Sequence, residues 1–330
     1  MSAALRPRDA QHAAVLTAPG EIGWRSSELP ELAPGEVRVR LQGCGVCASS
    51  LPVWEGRPWF RYPLEPGTPG HEGWGIVDAL GPGVGDLEVG DRVALISQHA
   101  FANFDVAPRA AVVKLPRALD AAPFPGEAIG CAMNIFERSD LRAGASVAIV
   151  GGGFLGILLT QLAAHAGCDV VVLSHREYSL GIAERAGATH VIATTDVRAA
   201  TTRAMALSGG RGFDRVIEAA GVQSTLDLAS ALTAERARLV IAGYHQDGLR
   251  QVNVQAWNWR GIDVVNAHER SLERYTAGVR AAIGAVLEGR IDPASLLTHA
   301  LPLSELARAF ELTRTRPDGF VKAVVTMEEE

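Results

Sequence analysis

Residues 147–163 read VAIVGGGFLGILLTQLA: a short β-branched run, a glycine-rich turn, and a helix-forming run. Gly151, Gly153 and Gly156 stand in Gly-x-Gly-x-x-Gly spacing, with Phe154 and Leu155 between the last two. Between a strand and a helix, that spacing builds a cradle for a dinucleotide pyrophosphate. The first glycine permits a tight turn, the second lets backbone approach the phosphates, and the third lets helix and strand pack closely. The helix N-terminus then supplies unpaired N–H groups to the anion.

The next apolar run, Asp169–Leu173, is followed by Ser174, His175 and Arg176. A site for NAD wants an acidic side chain at this strand end to accept from the ribose hydroxyls. Ser174 instead offers a hydroxyl and Arg176 a two-pronged donor, the groups suited to a 2′-phosphate. Glu177 lies three residues late. The expectation is NADP(H) in preference to NAD(H), the alternative being that Arg176 is a solvated loop residue. Further short strands follow at HVIA (190–193), DRVIEAAG (214–221), RLVIAGY (238–244) and IDVVNAH (262–268). Helix-like stretches separate the earlier ones: LGILLTQLAAHAG (155–167), YSLGIAERAGA (178–188) and STLDLASALTAERA (224–237). Strands alternating with helices predict an α/β doubly wound parallel sheet. Ligands bind beyond the carboxyl ends of such strands, so Tyr244 and His245 either border the ligand or are ordinary loop residues.

Upstream the rhythm differs. EVRVRLQGCGV (36–46), GWGIVDAL (73–80), DRVALIS (91–97) and AAVVKLP (110–116) are β-type runs between Pro/Gly turn clusters, which predicts a mostly-β domain. Two late helices lead to GFVKAVVTM (319–327), a strand expected to return to that domain. The division read from the sequence is 1–117 with 290–330 for the mostly-β domain and 118–289 for the dinucleotide-binding domain.

The totals exclude several classes. Net charge is −6 and there is no basic stripe, which argues against nucleic acid. The N-terminus MSAALRPRDAQHAAV has no signal-peptide core. The long apolar tract 146–173 carries five glycines and a change of pattern, so it is not a membrane span. Four cysteines (Cys44, Cys47, Cys131, Cys168) in 330 residues make no disulfide framework and fit a reducing cytoplasm.

Cys44 and Cys47 form a Cys-x-x-Cys, but the following ASSLPVWEG has Pro52 and no long helical period, against a thioredoxin-like pair. Downstream come His71 and Glu72. Thiolate, imidazole and carboxylate together suit a tetrahedral zinc site, and catalytic zinc sites keep one position open.

Gly45-Val46-Cys47-x-Ser49, then Gly70-His71-Glu72-x-x-Gly75-x-Val77 and Gly81-x-x-Val84-x-x-Leu87-x-x-Gly90-Asp91-Arg92-Val93, resemble the zinc-containing branch of the medium-chain dehydrogenase/reductase superfamily over nearly the whole chain. The resemblance implies a GroES-like catalytic domain joined to a Rossmann domain. It implies one catalytic zinc on Cys47, His71 and Glu127, the last in FPGEAIGCAM where polyol-type members carry a glutamate, with Glu72 the other carboxylate candidate. It gives Ser49 the proton relay and places Lys322 near the pyrophosphate, the alternative being a solvated strand residue. Ser50 stands where the family commonly has an aspartate supporting the histidine ligand, a departure that weakens that support or hands it to another group. Cys44 is an inward-facing bystander. The four-cysteine lobe of a second zinc is missing, and His99 lies in the shortened loop, on the surface or lining the cleft. Trp54 and Trp59 either shape a pocket or serve packing.

The implied activity is hydride transfer between NADP(H) and a secondary alcohol or ketone, with a sugar, polyol or cyclitol favoured, by a homodimer or homotetramer with no nucleic-acid or membrane partner. Two rivals stand beside it. A zinc-free enone or quinone reductase would lack Cys47 and His71, and an NADPH-binding sensor would turn nothing over.

Overall fold

The computed structural model describes residues 10–327. Residues 1–9, part of the stretch read as lacking a signal peptide, and 328–330 lie outside the described residues. The chain divides into two compact units, one of residues 10–130, 271–284 and 294–327, the other of 131–270 and 285–293.

The first unit opens with an antiparallel hairpin, β1 (Ala10–Ala18) and β2 (Glu21–Glu28). Next come β3 (Glu36–Val46), the short helix α1 (Leu51–Trp54), β4 (Glu72–Leu80), β5 (Arg92–Leu95), β6 (Phe104–Pro108) and β7 (Val112–Lys114). Along β3 burial alternates as far as Gly43, then Cys44, Gly45 and Val46 are all buried. The strand therefore ends covered on both faces, and the candidate site lies just beyond it. The core between the layers includes Leu16, Leu41, Leu95, Phe101 and Phe310, side chains that each contribute about 1.5–3 kcal/mol when fully buried. Helix α2 (Gly126–Ser139) leads out of this unit. Residues 118–130 and 271–284, placed by the sequence boundaries in the dinucleotide domain, cluster here because the start of α2 packs on Val279. A Cβ at Gly130 would stand 2.8 Å from the Val279 backbone nitrogen.

The second unit runs β8 (Ser146–Val150), α3 (Phe154–His165), β9 (Asp169–Ser174), α4 (Glu177–Arg185), β10 (His190–Ala193), α5 (Val197–Leu207), β11 (Phe213–Glu218), α6 (Gln223–Leu232), β12 (Thr233–Ile241), α7 (Val254–Arg260) and β13 (Asp263–Asn266). Its six strands are all parallel, in the order β10-β9-β8-β11-β12-β13. This is the doubly wound 3-2-1-4-5-6 arrangement, with its switch point between β8 and β11. One segment departs from the sequence reading. Thr233–Ala237, read as helix for its Ala and Glu content, begins β12, because Thr233 pairs with Phe213 and the register breaks before Arg215, with Arg236 at φ 56°. Sheet pairing overrides a weak local propensity. Helix α5, which the sequence reading did not mark, is capped by Asp196 accepting from the Ala199 N–H at 3.0 Å.

After α8 (Leu272–Leu287), the chain forms β14 (His299–Pro302), α9 (Leu306–Thr315) and β15 (Ala323–Thr326). β15 pairs antiparallel with β3, Val325 opposite Cys44 and Ala323 opposite Val46, so the last strand does return to the first unit.

On β6, Asp105 is 2% exposed, accepts from Ser97 Oγ and from the Val106 N–H, and feels His99. Burial holds its carboxyl above the ordinary carboxylate range, against the pull of Ser97 and His99. The folded state thus binds this proton more tightly than the unfolded state, an advantage lost as pH rises through the folded pKa. Asp105→Asn is expected to raise the melting temperature at pH 7 by a few degrees, the gain fading toward pH 4, since the Ser97 hydroxyl can rotate to accept from the amide. A lower melting temperature at pH 7 would show that the charge is wanted there.

Candidate active site

Cys47 follows directly on β3 and sits at the N-cap of the turn 48–50. His71 immediately precedes β4, which opens with Glu72. The antiparallel register places Gly45 opposite Glu72, so pairing of β3 with β4 brings the two segments together. One ligand atom each from Cys47, His71 and Glu72 lies within 4.8 Å of the others.

His71 is oriented from behind. Its Nδ1 lies 2.8 Å from the Pro69 carbonyl and donates to it, so Nε2 faces Ser49, whose Oγ is 3.4 Å away. The backbone of Pro69, not Ser50, supplies the support that an aspartate commonly gives in the family. Ser50 is buried, and its N–H closes the turn on the Cys47 carbonyl at 3.1 Å. Burial disfavours the imidazolium, yet Cys47, then Glu127, then Glu72 outweigh it and push the His71 pKa up to about 10. A divalent cation would meet the same concentration of negative charge. Glu127, in the first turn of α2, stands outside the 4.8 Å cluster, yet its charge also reaches His71.

Glu72 has another partner. It is fully buried, with Lys322 Nζ 2.8 Å from Oε1 and 2.7 Å from Oε2. Oε2 accepts no hydrogen bond of good geometry among the described residues. Burial works against the Lys322 charge, but Glu72 and then Cys47 hold the ammonium above its usual range. Lys322, at 5% exposure, is thus not a solvated strand residue, and its ammonium is engaged by Glu72. Gly45 makes room for the pair: a Cβ there would fall 1.7 Å from Glu72 Oε2. The imidazole held by its far nitrogen, the Cys47 sulfur and a nearby carboxylate are a donor set that suits zinc.

Cys44 is fully buried, its Sγ on the Gly45 carbonyl at 3.3 Å. Burial and then Glu72 push its thiol well above the ordinary range, which makes it a poor nucleophile. Trp54 belongs to the core. It stacks on Phe310 at 4.7 Å and donates to Glu311 at 2.8 Å, whereas Trp59 is 55% exposed. His99 is an exposed residue whose backbone N–H donates to Ser97 Oγ.

In the second unit the glycine loop joins β8 to α3, with Gly153 as N-cap. A Cβ at Gly156 would stand 1.9 Å from the Gly151 carbonyl oxygen, while one at Gly153 would meet nothing within 4 Å. Phe154 and Leu155 form the first turn of α3. Ser174 closes β9 and accepts from the Arg176 N–H at 3.2 Å, and Arg176 caps α4. The sequence reading missed Glu218 at the carboxyl end of β11. It accepts from the Ala220 and Gly221 N–H groups at 2.9 and 2.8 Å, from Thr225 Oγ1 at 2.7 Å and from His245 Nε2 at 2.9 Å. Arg250 Nε donates to His245 Nδ1 at 3.0 Å, so His245 is an organiser of the loop after β12. Tyr244 stacks on His268 at 5.0 Å. A buried acid ending an apolar strand was the available signal for Glu218.

Comparisons with known proteins bear on both units. Residues 33–117 match the alcohol dehydrogenase GroES-like domain, and 155–283 match the zinc-binding dehydrogenase family. The chain is 25% identical to an L-threonine 3-dehydrogenase of Bacillus velezensis over 89% of this chain and 92% of that protein. It is 26% identical to a 2-dehydro-3-deoxy-L-galactonate 5-dehydrogenase of Pseudoalteromonas atlantica over 92% and 96%. A Sinorhizobium meliloti 1021 protein, solved with NADP bound and described only provisionally as a zinc-binding dehydrogenase, superposes with a TM-score of 0.80 at 26% identity, covering 96% of this chain and 99% of its own. Two family models in chain order, the sheet topology and these relatives agree that the chain belongs to the alcohol and polyol dehydrogenase-like medium-chain dehydrogenases/reductases.

Proposed function

We propose that the protein is a zinc-dependent, NADP(H)-preferring dehydrogenase of secondary alcohols, with a sugar, polyol or cyclitol as substrate. The observation that carries this reading is the meeting of Cys47, His71 and Glu72 within 4.8 Å, in a pocket of charge strong enough to raise the histidine pKa to about 10. Cys47 and His71 hold one zinc. Glu127, in the first turn of α2, completes the set, because Glu72 is committed to Lys322. When bound, zinc supplies Lewis acidity and the nicotinamide takes or gives the hydride. The chain does the rest. Pro69 fixes the ring of His71, Ser49 Oγ accepts the carbinol proton as its own proton passes on towards solvent, and Gly151–Gly156 cradle the pyrophosphate. Ser174 and Arg176 stand where an NAD site would carry an acid, which favours the 2′-phosphate. None of the four cysteines forms a disulfide, which suits a reducing compartment such as the cytoplasm. Edge strand β13 is the surface on which a second copy would pair. No helix of the described residues is long and apolar enough to cross a membrane.

The test is metal content per chain and alcohol turnover with NADP and NAD, wild type beside Cys47→Ala. About one zinc is expected, lost in the variant together with at least about a thousandfold of kcat/KM. Metal-free wild type after preparation with zinc present would sink the reading in favour of the zinc-free reductase. Bound NADPH and zinc without turnover on any alcohol or ketone would favour the sensor.

A further inference from the structure

Glu218 ends β11 beside the switch point of the parallel sheet, and it is fully buried. Its Oε1 accepts from the Ala220 and Gly221 N–H groups and from Thr225 Oγ1, and its Oε2 accepts from His245 Nε2. Its backbone carbonyl accepts from the Ala242 and Gly243 N–H groups at 2.8 Å each. One residue thus fastens the turn after β11 to the chain leaving β12.

The segments so joined lie backbone against backbone. A Cβ at Gly243 would stand 2.2 Å from the Gly221 nitrogen and 2.6 Å from Glu218 Oε2. One at Gly221 would stand 2.8 Å from the Tyr244 carbonyl oxygen, and one at Gly151 would stand 3.0 Å from the Ala219 carbonyl carbon. The turn that Glu218 holds therefore abuts the first glycine of the phosphate loop on one side and the loop after β12 on the other.

Donor and acceptor roles explain why this position carries an acid. Arg250 Nε can only donate, so His245 Nδ1 accepts from it and the ring proton sits on Nε2, aimed at Glu218 Oε2. Oε2 must then be an acceptor. A glutamine could serve Ala220, Gly221 and Thr225 through its carbonyl, but its amide nitrogen would meet the Nε2–H, donor against donor. Arg250 Nη2 also donates to the Gly221 carbonyl at 3.2 Å, so the clasp closes back on the turn.

A doubly wound sheet is two mononucleotide-binding halves, with the dinucleotide lying across the crevice between them. Ser174 and Arg176 follow β9, which gives the adenosine half to β8–β10 and leaves β11–β13 for the nicotinamide half. We infer that Glu218 is a positioning residue for the nicotinamide half. It does not touch the dinucleotide. Through His245 and Arg250 it fixes the backbone of 219–221 and 242–245 at the strand ends on which that half rests. The inference rests on the proposed nicotinamide cofactor and needs neither zinc nor the alcohol.

The test is titration calorimetry on the full chain with NADPH and with adenosine 2′,5′-bisphosphate, the fragment that lacks the nicotinamide half. Glu218→Gln is expected to weaken NADPH at least about tenfold, the scale of one lost charge-assisted hydrogen bond, and to bind the fragment as wild type does. Adding His245→Glu to that variant returns an acceptor able to take both the new amide and Arg250. The pair is expected to restore NADPH to within about threefold of wild type. Should Glu218→Gln fail to fold, Arg250→Met removes the outer end of the same clasp from a partly exposed position. The same selective loss, of about threefold, is then expected. If wild type prefers NADH, then NADH and AMP take the places of the two ligands. Unchanged NADPH affinity in Glu218→Gln, or in Arg250→Met where that variant stands in, overturns the inference. So does an equal loss for the fragment, which would make Glu218 a support of the whole unit, and so does a double variant no better than Glu218→Gln. Wild type that binds neither NADPH nor NADH overturns the cofactor reading, and the inference with it.

Discussion

Lys322→Met is expected to cost about 3–5 kcal/mol of folding stability, the penalty for leaving a buried charge without its partner. Glu72 is fully buried, and the Lys322 ammonium meets both its oxygens. Water cannot reach the buried carboxylate to replace the ammonium, and Oε2 occupies the space that a side chain at Gly45 would need. A loss of that size is a large part of the 5–15 kcal/mol that holds an ordinary domain folded, so urea midpoints should fall sharply with the slope unchanged. Glu72→Gln combined with Lys322→Met should recover much of the loss, because an amide and a thioether need far less solvation than two ions. The coupling energy of that double-mutant cycle measures the pair. A cost below about 1 kcal/mol for Lys322→Met would mean that the carboxylate finds solvent or another cation, and that the pair is not the structural floor of the site.

What was legible from residues alone divides along a physical line. The dinucleotide turn could be read because its requirements are local: three glycines at fixed spacing, each answering a backbone constraint. Cys47 and His71 could be singled out because each lies in a dense motif. The pairing of Glu72 with Lys322 could not, because 250 residues separate them and a lysine in an alternating strand reads as solvated. The support of His71 was hidden for another reason. It comes from a backbone carbonyl, at Pro69, which leaves no mark on residue type. Thr233–Ala237 shows the converse error, where Ala and Glu suggested helix and the neighbouring strands decided otherwise.

Gly156→Ala is expected to weaken NADPH binding by at least about a hundredfold, with a loss of stability that Gly153→Ala does not share. The contrast follows from where each new methyl would go. At Gly156 it would stand 1.9 Å from the Gly151 carbonyl oxygen, which is backbone and cannot swing aside. The first turn of α3 would have to lift from the end of β8, and the N–H groups at that helix start would leave the position a pyrophosphate needs. Gly151 cannot relax to accommodate it, since it already holds φ at 122°, a value side-chain-bearing residues rarely adopt. At Gly153 a methyl would meet no protein atom within 4 Å, so the fold should tolerate it with its melting temperature unchanged. Any NADPH affinity lost by Gly153→Ala therefore reports on the space above the loop and not on the loop itself. If Gly153→Ala weakens NADPH about tenfold at constant stability, the phosphates lie against this backbone. If it binds NADPH as wild type does while Gly156→Ala merely unfolds, the turn is a packing device and the dinucleotide sits elsewhere. Zinc content should be unaltered in both variants, because none of the Cys47, His71, Glu72 and Glu127 donors belongs to the second unit.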